Sequence, residues 1–401
     1  MKGEEAVYAV VGAKVHTAGK AGTLDGATIL VDNGKILDVG KEIKIPEGCV
    51  VHDATGLEIS PGFIDAHSHA GFANGTLSVA DACDLTTPLS PELMAIDAFC
   101  PTEPSLQRSL AGGVTTIGLM PGNFMSIGTI VEPISVIPGV GAVIKTRTQD
   151  GMPVVLRKKA GMKMALGEHP KKTMKDSRRA PATRMGLMAL IREALDYGKE
   201  EKPSRKYENT AALLRREFPA RVHAHRVRDM QSMIDLSKEY GFDLVFEHAT
   251  EGYMMADELR ENNIPCVVGP IIMVRMGPEL QNLRWDNAVT LVKAGVKVAI
   301  TCDHPTFPGW YLPMHAGILA REGMDYQDAL KTITLNAAEI LGVADRVGSI
   351  EKGKDADFVV FDGDPLEYAS PIRAVVCDGE VVLGSIGKVS DSDGCGRCGS
   401  C

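Results

Sequence analysis

The chain has 401 residues, enough for one large catalytic domain with a smaller companion and too many for a single small core. Its 44% hydrophobic and 24% charged residues are ordinary for a globular protein. A net charge of −9 excludes a general binder of nucleic acid or anionic membranes, and no apolar run reaches membrane-spanning length.

From the N-terminus, Met1-Lys-Gly-Glu-Glu5 lacks the basic-then-apolar layout of a secretory signal. Residues 6 to about 60 read as short strands: Tyr8–Val11, Val15–Thr17, Thr28–Val31 and Ile36–Val39, with Asn33-Gly34 as a hairpin turn. The same texture returns near the C-terminus, where Asp357–Phe361, Ile372–Cys377 and Glu380–Leu383 are separated by turns such as Asp378-Gly379. The ends therefore predict one small discontinuous β-domain, a β-sandwich built from residues 1–60 and 345–390. His16 and His52 belong to it as structural residues.

Between them, residues 61–344 alternate strand and helix. Strands are predicted at 63–69, 114–120, 134–144, 161–166, 220–225, 243–248, 264–269 and 296–302. Helical patterns cover 184–195, 228–240, 253–262, 286–294 and 326–341, with stops at Gly241 and Gly295. This is the pattern of an α/β fold, a (β/α)8 TIM-type barrel, with an open doubly wound sheet as the alternative. No Gly-x-Gly-x-x-Gly opens a helix after a strand, so dinucleotide binding has no support.

Chemistry in a barrel gathers at the C-terminal ends of the strands. The first strand, in Ser60-Pro-Gly-Phe-Ile-Asp-Ala-His-Ser-His-Ala70, ends in His67 and His69, which share one face because side chains repeat every two residues. Arg221-Val-His-Ala-His-Arg226 carries His223 and His225, Asp243–His248 ends in His248, and Val296–His304 ends in Asp303. His67, His69, His225, His248 and Asp303 make an N/O-rich set suited to Zn²⁺ or another divalent transition metal.

The chain thereby resembles the amidohydrolase superfamily of metal-dependent hydrolases, in its imidazolonepropionase-like and prolidase-like branch. The resemblance rests on Pro61–His69, Gly113-Val-Thr-Thr116, Val222-His-Ala-His225, Glu247-His248, Thr301-Cys-Asp303, Asn336–Gly342 and Gly348–Phe361. It implies that His67 and His69 hold a metal with Asp303. His225 and His248 would hold a second metal or orient the substrate, so one or two ions are expected per chain. Asp303 would shuttle the proton. A bridging ligand is offered by Lys163, a lysine that the superfamily often carries carboxylated, or by Glu168 at the strand's end, with His169 adjacent. The implied activity is hydrolysis of a C–N bond in a small molecule: a cyclic amide, an N-acyl amino acid or a dipeptide. The alternatives are a deaminase of the same fold and a non-catalytic scaffold. Deamination is disfavoured because Arg226-Val-Arg228 follows His225 where that class carries a Glu.

His223 fits a partner of the ligands. His304, Arg275 and His315 are candidates for substrate contact or for packing. The cation-rich stretch holding Lys171, Lys172, Lys175, Arg178, Arg179 and Arg184 reads as a loop, either solvated or grasping a substrate carboxylate. Residues 71–109 read as a long insertion at the barrel mouth. Six scattered cysteines suggest reduced thiols in a cytoplasmic protein, expected as a homo-oligomer. Cys395, Cys398 and Cys401 lie in a flexible tail, 391–401, with only part of a closed metal site.

Overall fold

The structure, a computed structural model, describes residues 7–72, 81–122, 134–176, 178–275 and 277–387. The Cys395/Cys398/Cys401 tail and part of the 71–109 insertion lie outside the described residues. The chain divides into two compact units, one from residues up to 62 together with 345 onward, the other from 63 to 344.

The first unit is a β-domain made from both ends of the chain. Its N-terminal strands are Tyr8–His16 (β1), Thr23–Asp32 (β2), Lys35–Gly40 (β3), Val50–Asp53 (β4) and Glu58–Pro61 (β5). Asn33 and Gly34 both have positive φ, 46° and 73°, as the tight turn between β2 and β3 demands. The apolar residues at alternate positions, such as Val10, Ile29, Ile59, Phe358 and Val360, form the core. The sheet is closed across the sequence by Phe358–Phe361, which pairs antiparallel with β5 through Val360 opposite Ile59. His16 is spent within this unit, its Nε2 lying 2.7 Å from Glu58 and its Nδ1 3.2 Å from Thr23.

The second unit is a nearly closed eight-stranded barrel. In order its strands are Phe63–Ser68 (β6), Val114–Leu119 (β7), Gly139–Gln149 (β8), Met152–Ala165 (β9), Ala220–Ala224 (β10), Leu244–His248 (β11), Cys266–Val268 (β12) and Val298–Ile300 (β13). The strands β6, β7, β10 and β11 are buried along their whole length, as expected for strands covered on both faces. The first and last strands meet where the His69 amide donates to the His304 carbonyl at 3.0 Å. Returning to the β-domain, the chain ends in Phe358–Phe361 (β14), Ile372–Cys377 (β15) and Glu380–Gly384 (β16).

The β8 strand and the helix expected over 326–341 differ from the sequence expectation. The third barrel strand, β8, runs antiparallel to both β7 and β9, so a hairpin replaces one strand–helix repeat. Asp150 (φ 51°) and Gly151 (φ 76°) supply its turn, a pair strongly favoured in such turns. The helix expected over 326–341 is two helices, Tyr326–Thr332 and Leu335–Leu341. Between them the Ile333 carbonyl accepts from the Ile64 amide on β6, and the Thr334 hydroxyl donates back to the Leu330 carbonyl. That tertiary bond to the barrel overrides the continuous helical pattern.

Candidate functional site

The C-terminal ends of β6, β9, β10, β11 and β13 converge on one buried group of side chains. At the end of β6, His67 and the following His69 stand together, with ring centroids 5.1 Å apart. Their Nδ1 atoms have fixed partners: Glu247 Oε2 at 2.8 Å for His67 and the Met120 carbonyl at 2.6 Å for His69. A carbonyl and a carboxylate only accept, so each ring carries its proton on Nδ1 and presents a bare Nε2. Asp303 Oδ1 lies 3.5 Å from the His67 Nε2 and 3.3 Å from the His69 Nε2. His69 Nε2 and Asp303 Oδ1 are buried and have no hydrogen-bond partner despite that closeness. Lone pairs facing one another at such distances repel unless positive charge stands among them. This donor set fits a divalent cation, and the residues His67, His69 and Asp303 could hold it.

Lys163, fully buried on β9, brings its Nζ to 3.0 Å from His67 Nε2. Its amine stands close enough to this group that, carboxylated by CO₂, it could offer an oxygen ligand. Burial, helped by the Lys163 charge, pushes His67 down to about 3, so the imidazole is neutral at physiological pH. Burial alone would raise Glu247, but the Arg221 guanidinium and His67 hold its carboxyl well below the usual carboxylate range. Arg221 and Glu247 are both fully buried and ion-paired, and Arg221 also donates to the Ala66 carbonyl at 2.8 Å, just before His67. This pair ties β10 and β11 to β6 next to His67.

His248 and Asp303 stand in left-handed backbone, with φ of 68° and 53°. Such values cost energy for residues other than glycine and recur where a side chain is aimed. His248 Nδ1 donates to the Gly269 carbonyl at 2.8 Å, leaving its Nε2 to the interior. Next to it lie His223 and His225, with His225 Nδ1 2.8 Å from the Thr250 hydroxyl. Burial and the neighbouring His248 lower both His223 and His225 well below the ordinary histidine value. His169, in the first turn of the helix Glu168–Asp176, leans over the same rings and is lowered by burial to about 4. A cavity of about 470 Å³ is lined by His169, His223, His225, His248 and Asp303 together with Lys171, Lys172, Lys175 and Glu279.

Residues 59–387 match the family described as the amidohydrolase family. The crystal structure of an amidohydrolase from Thermotoga maritima MSB8 superposes with a TM-score of 0.87 at 36% identity, covering 94% of this chain and 100% of that one. The chain belongs to the amidohydrolase family. Among the curated relatives of this amidohydrolase-family chain is amidohydrolase tasK of Hapsidospora irregularis, 27% identical over 86% of the chain. The chain spans only 39% of the length of tasK. The imidazolonepropionase of Thermoplasma acidophilum is 22% identical over 91% of each protein. A prolidase structure complexed with N-methylphosphonate-L-proline shares the fold with a TM-score of 0.56 at 18% identity, covering 94% of this chain and 100% of that one.

Within this amidohydrolase-family barrel, most residues singled out from the sequence come together: His67, His69, Lys163, His223, His225, His248 and Asp303. Others do not. Glu168 is turned away from the group and half-buried, its carboxylate bonded to Arg184 at 2.7 Å and Lys171 at 2.9 Å, so it is not placed to bridge. Arg275 is exposed and donates to the Leu283 carbonyl at 3.1 Å, away from the cavity over the histidines. His304 is buried beside Trp310, with a ring-centroid distance of 6.0 Å, and reaches the site through its backbone. His315 packs on Phe307 at 4.7 Å. The expected cationic loop is in part a helix, Glu168–Asp176, and Arg184 is held by Glu168, Asp229 and Glu279. Two residues carried no sequence argument of their own: His169, named only as a neighbour of Glu168, and Glu247, seen only as part of a motif. The described thiols Cys49, Cys83, Cys100, Cys266 and Cys302 form no disulfide. No helix of the described residues is long and apolar enough to cross a membrane.

Proposed function

We propose that the chain is a metal-dependent hydrolase that cleaves the C–N bond of a small amide: a cyclic amide, an N-acyl amino acid or a dipeptide. The observation that carries this reading is the buried meeting of His67, His69 and Asp303, with His69 Nε2 and Asp303 Oδ1 left without partners. Zinc or a similar ion suits that mixed N/O set. Such an ion supplies a Lewis acid for the carbonyl and hydroxide at neutral pH. Lys163, carboxylated by CO₂, is the proposed additional oxygen ligand.

The remaining chemistry falls to the chain. Glu247 orients His67 and keeps its proton on Nδ1. Asp303 takes the proton of the attacking water as the C–O bond forms, then gives it to the leaving nitrogen as the C–N bond breaks. His248, with Nδ1 tied to the Gly269 carbonyl, orients the substrate carbonyl. Lys171, Lys172 and Lys175 favour a substrate bearing a carboxylate. The imidazolonepropionase among the relatives supports an amide reading, and the absence of a Glu directly after His225 disfavours the deaminase reading.

The test is a screen of zinc-loaded protein against N-acyl amino acids, dipeptides and cyclic ureides, beside aminopurines. Amide hydrolysis that Asp303→Asn reduces at least about 10²-fold is the expected result. Ammonia release from aminopurines without any amide cleavage would replace this reading with deamination.

A further inference from the structure

The cavity over the histidines is lined by a carboxylate that the proposed chemistry does not use. It belongs to Glu279, in the short turn of helix Pro278–Leu280 that follows β12. Arg184 stands among three carboxylates, 2.7 Å from Glu168, 2.7 Å from Asp229 and 3.2 Å from Glu279 Oε1. Asp229 gives both its oxygens to that guanidinium, at 2.7 and 3.1 Å. Both oxygens of Glu168 accept from Lys171 at 2.9 Å. Of these carboxylates, only Glu279 keeps an oxygen, Oε2, buried without a hydrogen-bond partner among the described residues. The main chain fixes the carboxyl in this place. Gly167, just past β9 at φ 89°, lies against it, and a Cβ there would collide with both the carboxyl carbon and its oxygens.

We propose that Glu279 determines specificity by binding a protonated amine of the substrate, which makes the substrate an amide with both an ammonium and a carboxylate, such as a dipeptide with a free amino group. The proposal rests on the amide-hydrolase reading and narrows its substrate class. Glu168, Asp229 and Glu279 are in direct contact with only two cations, Arg184 and Lys171, which leaves one negative charge uncompensated. An ammonium cancels that charge and gives Oε2 the donor it lacks. Burial raises the Glu279 carboxyl to about 7, and a cation against Oε2 favours its ionised form. The opposite charge has its own place, because Lys171, Lys172 and Lys175 line the same cavity and suit a carboxylate. A cyclic amide or a simple N-acyl amino acid has no amine to offer. Bound here, it would leave Oε2 shut away from water and still unpaired, and a site built around such a group rejects ligands that cannot satisfy it.

The test reads binding and turnover on the zinc-loaded full chain at about pH 7.5, where amino groups are still largely protonated. Isothermal titration compares ω-amino carboxylates with the plain carboxylic acids of the same length. The best-bound amino acid of the series should bind at least about tenfold more tightly than its plain counterpart, and Glu279→Gln should bring that ratio close to one. In hydrolysis, dipeptides should exceed their N-acetylated forms at least about tenfold in kcat/KM, mainly through KM. Glu279→Gln should erase that difference and Glu279→Asp should restore part of it, whereas a purely structural role would lower both substrates alike. Equal affinities for the paired acids, N-acetylated dipeptides cleaved as well as free ones, or a preference that Glu279→Gln retains would each overturn the proposal. Should that variant fold poorly, the two native ratios decide. Failure of the amide-hydrolase reading looks different, since no amide would be cleaved while the paired acids still bound unequally.

Discussion

Glu247 and His248 are adjacent on β11, yet both reach the barrel interior. Neighbouring residues of a strand point to opposite faces, so one of them has to be turned. The turn is at His248, whose φ of 68° brings the ring back over the mouth while Glu247 reaches His67. The His67/His69 pair needed no such device, which is why period-two spacing alone was enough to find it. Glu247 was not legible because its role depends on a residue 180 positions away. Glu247→Gln should weaken zinc binding about 10–100-fold by loosening His67. The same change leaves Arg221 buried without its counter-charge, which destabilises by about 3–5 kcal/mol. Competition with a chromogenic chelator and urea unfolding read the two effects separately. Native zinc affinity in the variant would remove Glu247 from the ligand-positioning role.

Among the elements, the eight barrel strands were visible as apolar runs bounded by turn residues, and seven of the runs fit a parallel order. The exception is the β8–β9 hairpin, where an Asp150-Gly151 turn was present in the sequence but outweighed by the expectation of strict strand–helix alternation. The helix Glu168–Asp176 escaped notice for another reason. Its many cations look like a solvated loop, while its buried face is only Pro170, Thr173 and Met174. The hairpin gives a clean test, because Gly151 has open space around it and only its φ of 76° requires glycine. Gly151→Ala should cost about 1 kcal/mol of stability with no change in metal content. A neutral or stabilising effect in denaturant unfolding would mean that the turn conformation is different.

For the whole molecule, the buried imidazoles set the response to acid. Burial pushes His67 down to about 3 and His169, His304 and His315 to about 4, and lowers His223, His225 and His248 too. Between about pH 4 and 6.5 the unfolded chain therefore binds protons that the folded chain refuses, and stability falls as pH falls through that window. Asp65 and Glu279, raised by burial to about 7, act in the opposite sense, their contribution being present in acid and lost as pH rises through 7. The imidazoles outnumber these two carboxyls, so metal-stripped protein should have a lower urea midpoint at pH 5.5 than at pH 7.5. A higher midpoint at pH 5.5 would show that the histidines are not held neutral. Substrate choice was out of reach from sequence because it belongs to how the helix Glu168–Asp176 and the turns after β12 and β13 wall the cavity, and one chain of letters does not orient them.

The measurement that bears most directly on the whole account is metal content by mass spectrometry, on the native protein and on the variant with His67 and His69 both changed to Ala. The account predicts about one to two equivalents of zinc or another divalent transition metal per native chain, with the ion at His67, His69 and Asp303 lost in the variant while its circular dichroism stays native. Native-level metal in the folded double variant, or a metal-free native protein that still hydrolyses amides, would contradict it.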